Sequence, residues 1–143
     1  MKSSMNPVKA YKETQIKTAS QGKLIIMLYD EALRQIDTAA TELASNTPSL
    51  DAVSNALVKA QDLVTELIVS LDFERGGEIA RGLFSLYLFF NKQLIDANIR
   101  KDAEPLKEVH RMLTELRAAW VEIAGRVGTG EIEKPIRGVN IAG

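Results

Sequence analysis

The chain contains no cysteine, so disulfide stapling, thiol chemistry and thiolate metal sites are excluded. Histidine is nearly absent as well. His110 stands alone with Lys107 three residues before it, so the Glu-x-x-His pair that holds metal ions in some helical bundles is missing. No apolar run approaches the roughly 18 residues of a membrane span, and the opening Met1–Pro7 has no apolar signal core, so no membrane insertion is expected. Neither sign of charge is in excess. Eighteen basic side chains face 19 acidic ones, which offers no global attraction to nucleic acid. Gly76-Gly77 lacks the spacing of a phosphate loop and reads as a helix break. Asp30-Glu31 and the Asp72, Glu74 pair come without a partner base, so they read as solvated charges. No catalytic residue, metal or cofactor is therefore expected.

What is present is helical periodicity. The 143 residues, 45% of them apolar, suffice for one domain with its own core. Four stretches carry apolar residues at spacings of three and four, and short breaker clusters separate them. The first has Ile25, Tyr29, Ala32, Ile36, Ala39 and Leu43 on one face, with Thr18 or Ser20 as its cap. Ser45-Asn46-Thr47-Pro48 ends it. The second carries Val53, Leu57, Ala60, Val64, Leu67 and Leu71, and Arg75-Gly76-Gly77 ends that one. Asp102 is a plausible cap for the fourth, where Pro105 falls in a first turn and Leu106, Val109, Leu113, Leu116, Trp120 and Ile123 form the stripe. Short connections make sequence neighbours antiparallel neighbours in space. The expected architecture is all-α: an antiparallel up-and-down four-helix bundle over 18–127 (about 20–44, 48–72, 78–100 and 103–125), with a basic N-terminal arm, 1–17, and a flexible C-terminal tail, 128–143.

Two of these helices are more apolar than one stripe requires. Leu24-Ile25-Ile26-Met27-Leu28-Tyr29 covers more than a full turn. The third helix has one face of Ile79, Leu83, Leu86, Phe90 and Leu94 and a second of Phe84, Leu88, Ile95 and Ile99. Each large apolar side chain left in water forgoes about 1.5–3 kcal/mol, so a contiguous exposed set implies a cover. Three covers are open at this point: the arm itself over two central helices, a second copy of the chain, or a foreign amphipathic segment in a groove.

The motifs Lys9-Ala10-Tyr11, Thr18-Ala19-Ser20, Leu28-Tyr29-Asp30, Gly76-Gly77-Glu78-Ile79-Ala80, Leu86-Tyr87, Ala97-Asn98 with Asp102, and Ala119-Trp120 resemble those of the flagellar secretion chaperones, the FliS family, in order and spacing from about residue 6 to 127. The resemblance implies a non-enzymatic chaperone of the bacterial cytoplasm that binds the disordered C-terminal segment of flagellin, prevents its early polymerisation and passes it to the flagellar export apparatus. The groove residues expected are Leu24, Met27, Leu28, Phe84, Leu88 and Ile95, and Val8 and Tyr11 match the family's N-terminal lid. A homodimer is the alternative use of the same faces. Two positions depart from the pattern: Val8 stands where many relatives carry an aromatic, and Glu31 where many carry glycine.

Overall fold

Helix stop signals divide the chain where local chemistry demands it. The computed structural model describes the backbone of residues 7–129 and the side chains of Pro7 and of residues 21–126. Within these, four helices follow one another: α1 Pro7–Leu43, α2 Leu50–Val69, α3 Phe73–Arg100 and α4 Glu104–Thr129, with no strand among the described residues. Each packs on its sequence neighbours and α1 closes the ring on α4. The α1–α2 pairing is the most intimate and α3–α4 the loosest, and the backbones of the diagonal pairs stay apart, so only side chains meet across the core. This is the expected all-α four-helix bundle.

The ends of the helices are capped by side chains that satisfy orphan amides. Ser49 Oγ accepts from Ala52 N at 3.2 Å to open α2, while Glu42 on α1 accepts from Ser49 N at 2.7 Å. Asp72 Oδ1 takes the N–H groups of Glu74 and Arg75, both at 3.1 Å, and Asp102 Oδ1 takes that of Glu104 at 3.0 Å. Lys101 closes α3 in the left-handed region at φ 52.

Three boundaries differ from the sequence reading. The first helix opens at Pro7 rather than near Ser20, because proline suits a first turn and the intervening Lys, Ala, Glu and Gln residues are good helix formers. The break before α3 falls at Ser70–Asp72, since Asp72 caps a turn that the glycine pair was expected to exclude. Gly77 instead kinks the helix, with φ 49 and ψ −122, a conformation essentially reserved to glycine. The last helix runs past Gly125 to Thr129, while the remainder of the expected tail, residues 130–143, lies outside the described residues.

The stripes read from periodicity form the core. Ile25, Tyr29, Ala32, Ile36 and Ala39 of α1 meet Val53, Leu57, Ala60, Val64 and Leu67 of α2, Leu83, Phe90 and Leu94 of α3, and Leu106, Val109, Leu113 and Trp120 of α4, all buried. Leu43, Leu71, Ile79, Leu86 and Leu116 pack on this core while only partly buried. The α1–α4 seam is sewn by polar pairs. Arg117 grips Asp30, and His110 Nε2 lies 3.0 Å from Asp37 Oδ1, so the lone histidine is a seam residue.

Candidate protein-binding face

The seam between α2 and α3 can be traced from its hydrogen bonds. Ser54 Oγ donates to Asn98 Oδ1 at 3.0 Å, and Asn91 Nδ2 donates to Thr65 Oγ1 at 3.4 Å. Residues three or four positions from these rungs share their side of each helix. Val58 and Val69 stand four residues after Ser54 and Thr65, and Ile95 and Leu88 flank Asn91 on α3. These four are exposed, Val69 at 73%, Leu88 at 48% and Ile95 at 44%, and Ile99 beyond them reaches 76%. Phe84, one turn before Leu88, is half-buried because Phe73 packs edge-on against it, with ring centroids 5.8 Å apart. A row of apolar side chains on a packed scaffold, interrupted by two polar rungs, is the geometry that receives an amphipathic helix.

Of the residues singled out from the sequence, Phe84, Leu88 and Ile95 share this seam. Leu24 and Met27 are exposed too, but on α1, at the corner of the ring diagonal to α3, so the two sets do not line one groove. Leu28 is half-buried and packs against the core. The side chains of Val8 and Tyr11 lie outside the described residues. Val58, Val69 and Phe73 lie outside the long apolar runs that mark the surplus in the sequence; for the first two, the signal is an apolar residue off the stripe of α2. Glu31 is held within its own helix, where Arg34 Nε at 2.9 Å and Gln35 Nε2 at 2.8 Å pull its carboxyl down to about 2.

Below the face, the Tyr29 and Tyr87 hydroxyls are 2.6 Å apart in the core. Burial pushes the Tyr29 hydroxyl far above the usual tyrosine range and Tyr87 up to about 12. Trp120 comes close enough to Tyr29 to favour its ionised form, yet its buried Nε1 makes no hydrogen bond of proper geometry. Because the folded state keeps protons that the unfolded chain releases near pH 10, stability is complete below that pH and falls as pH rises toward 12. The expected result is that two of the three tyrosines resist ionisation at pH 10 and titrate only with unfolding, read from absorbance at 295 nm beside far-UV dichroism. Reversible ionisation of all three in the folded chain would contradict the buried pair.

Comparison with known proteins gives this face its setting. The family model described as "Flagellar protein FliS" matches residues 4–127. The flagellar secretion chaperone FliS of Salmonella typhimurium (strain LT2) is 34% identical over 129 residues, which cover 87% of this chain and 94% of that protein. The Bacillus subtilis (strain 168) chaperone of the same name is 32% identical over 115 residues, 80% of this chain and 84% of its own. That of Vibrio cholerae is 33% identical over 121 residues, with 81% and 87% covered. With the match spanning all four helices, and relatives aligned over most of their own length, this chain belongs to the FliS family of flagellar secretion chaperones.

Proposed function

We propose that this chain is a cytoplasmic export chaperone that binds the disordered C-terminal segment of flagellin, keeps it from polymerising early and assists its delivery to the flagellar export apparatus. The observation that carries the reading is the exposed row Leu88, Ile95 and Ile99 on α3, joined by Val58 and Val69 across the α2 seam. These side chains sit on a packed bundle, so the chaperone orders little on binding. The client supplies the disorder: it folds into helix against the row, and its ordering entropy is set against the apolar burial it gains. That balance suits a complex that must release its cargo. Leu24 and Met27 provide a second, separate contact for a client long enough to pass around the bundle. The role is binding, with no chemical step.

Mixing the purified chain with a flagellin C-terminal peptide should give a one-to-one complex by sedimentation and more helix than the sum of the parts by far-UV dichroism. No complex at tens of micromolar overturns the reading. The apolar row would equally cover a second copy of the chain, and sedimentation separates the two uses: a dimer that dissolves as peptide is added shares the row with the client, and one that persists lies elsewhere.

A further inference from the structure

Where the apolar row reaches the end of α3, the polar groups beside it are turned in a definite direction. Asn98 Oδ1 accepts from the Lys101 ammonium at 2.9 Å and from Ser54 Oγ on α2 at 3.0 Å. An ammonium can only donate, so its contact identifies that atom as the carbonyl oxygen and puts the amide nitrogen on the other side. The two contacts take up both lone pairs of the oxygen, while Nδ2 has no hydrogen-bond partner among the described residues and is not enclosed. Lys101 Nζ also donates to the main-chain oxygen of Asn98 at 2.7 Å, which leaves one of its N–H groups unspent. This ammonium makes no ion pair among the described residues. The acids on either side of it, Asp96 and Asp102, are both taken by Arg100, at 2.9 and 3.8 Å. Asn98 and Lys101 are each half-buried, so a cation and an amide with free N–H groups stand together at the surface.

We propose that Asn98 and Lys101 hold a carboxylate of the client: an Asp or Glu side chain on the bound helix accepts from Asn98 Nδ2 and from the Lys101 ammonium. The inference rests on the client reading above and names a residue class that the client carries at one end of its apolar stripe. Charge selects the acceptor. An ammonium whose present contacts are neutral oxygens gains most from an anion, and the two oxygens of a carboxylate can take both donors at once. Position selects a helix that is otherwise apolar, because Ile95 on α3 and Val58 on α2 each stand one turn from the Ser54–Asn98 rung, and both are exposed. An apolar row by itself lets a bound helix slide by a turn, whereas one charged contact at its end fixes the register.

Asn98→Asp separates this role from a structural one. The variant keeps an oxygen for Ser54 and Lys101 and puts a second oxygen where the NH2 group was, so far-UV spectrum and thermal midpoint should hold while a client carboxylate is repelled. The probe is a flagellin C-terminal peptide with an amidated terminus, together with a series in which each Asp or Glu in turn becomes Asn or Gln. By calorimetry the parent peptide should bind Asn98→Asp roughly ten-fold more weakly than the unaltered chain. One peptide of the series should lose a similar factor on the unaltered chain and recover on Asn98→Asp, where its new amide can donate to the new carboxylate. Equal binding across the series, or parent binding unchanged by Asn98→Asp, overturns the proposal while the apolar row stands. So does a loss of equal size on both chains, which moves the carboxylate to another cation such as Lys92, exposed between Leu88 and Ile95. A loss caused by amidation alone gives the donors to the terminus of the peptide and overturns the side-chain contact. Where Asn98→Asp does not fold, Lys101→Met takes its place, and the loss within the series should vanish on it. The absence of any complex with the parent peptide overturns the client reading itself, and this contact with it.

Discussion

A chain carrying Leu88→Asp is expected to fold as the unaltered one does and to lose about a hundredfold or more in affinity for the flagellin C-terminal peptide. Leu88 is 48% exposed on the outer side of α3, so its replacement in the free chain leaves no cavity and changes stability by only about 0.5 kcal/mol. In the complex the same position lies between the rung of Thr65 and Asn91 and the ring of Phe84, in the middle of the apolar row. There the variant forgoes about 1.5–3 kcal/mol of leucine burial. It also forces a carboxylate out of water without a partner, at a further cost of some kcal/mol. At about 1.4 kcal/mol per tenfold the two together exceed a hundredfold. Val121→Asp is the control. Val121 is also exposed and apolar, but it follows Arg117 by one turn on the side of α4 that Arg117 turns to Asp30, away from the α2–α3 face, and its replacement should weaken binding far less than Leu88→Asp does. Equal weakening by both variants, measured by calorimetry, would mean that general stickiness rather than the α2–α3 face holds the peptide. An unfolded Leu88→Asp would place that residue in the core.

Much of this architecture is legible in the sequence, for a definite reason. A stripe such as Val53, Leu57, Ala60, Val64, Leu67 follows from one helix and the 3.6-residue period alone, and all five are buried. What periodicity cannot supply is the placement of one helix around another. The surplus in Leu24–Leu28 and that in Phe84–Phe90 look alike in the sequence, and only the ring order shows that α1 and α3 occupy opposite corners. The Tyr29–Tyr87 contact joins positions 58 residues apart, so each could be assigned to a core stripe but not to the other. Local signals also compete. Ser20 is a good cap residue by type, yet the stretch before it favours helix throughout, and a cap residue inside a continuous helix is tolerated. At Asp72 the competition went the other way, and a strong cap displaced the break from the glycine pair.

The run Leu24–Leu28 contains the sharpest case, because two adjacent residues that look equivalent are expected to behave oppositely. Met27 is 65% exposed, whereas Leu28 is half-buried against the core on the side of α1. One residue along a helix turns the side chain by about 100°, enough to carry it from solvent to the flank of the stripe. Leu28→Asp should therefore lower unfolding free energy by about 2–4 kcal/mol, from lost burial and an unpaired carboxylate next to apolar neighbours. For a chain of this length that is a fall of roughly 5–15 °C in thermal midpoint. Met27→Asp should stay within about 0.5 kcal/mol of the unaltered chain. Denaturant unfolding of the two variants side by side measures the difference, and peptide supplies a second reading. A ligand that binds only the folded state adds about 2.7 kcal/mol at a hundred times its dissociation constant. Saturating peptide should therefore restore much of what Leu28→Asp loses if that residue serves the core. A Leu28→Asp variant as stable as Met27→Asp but unable to bind would instead return Leu28 to the binding surface and make α1 a principal contact for the client.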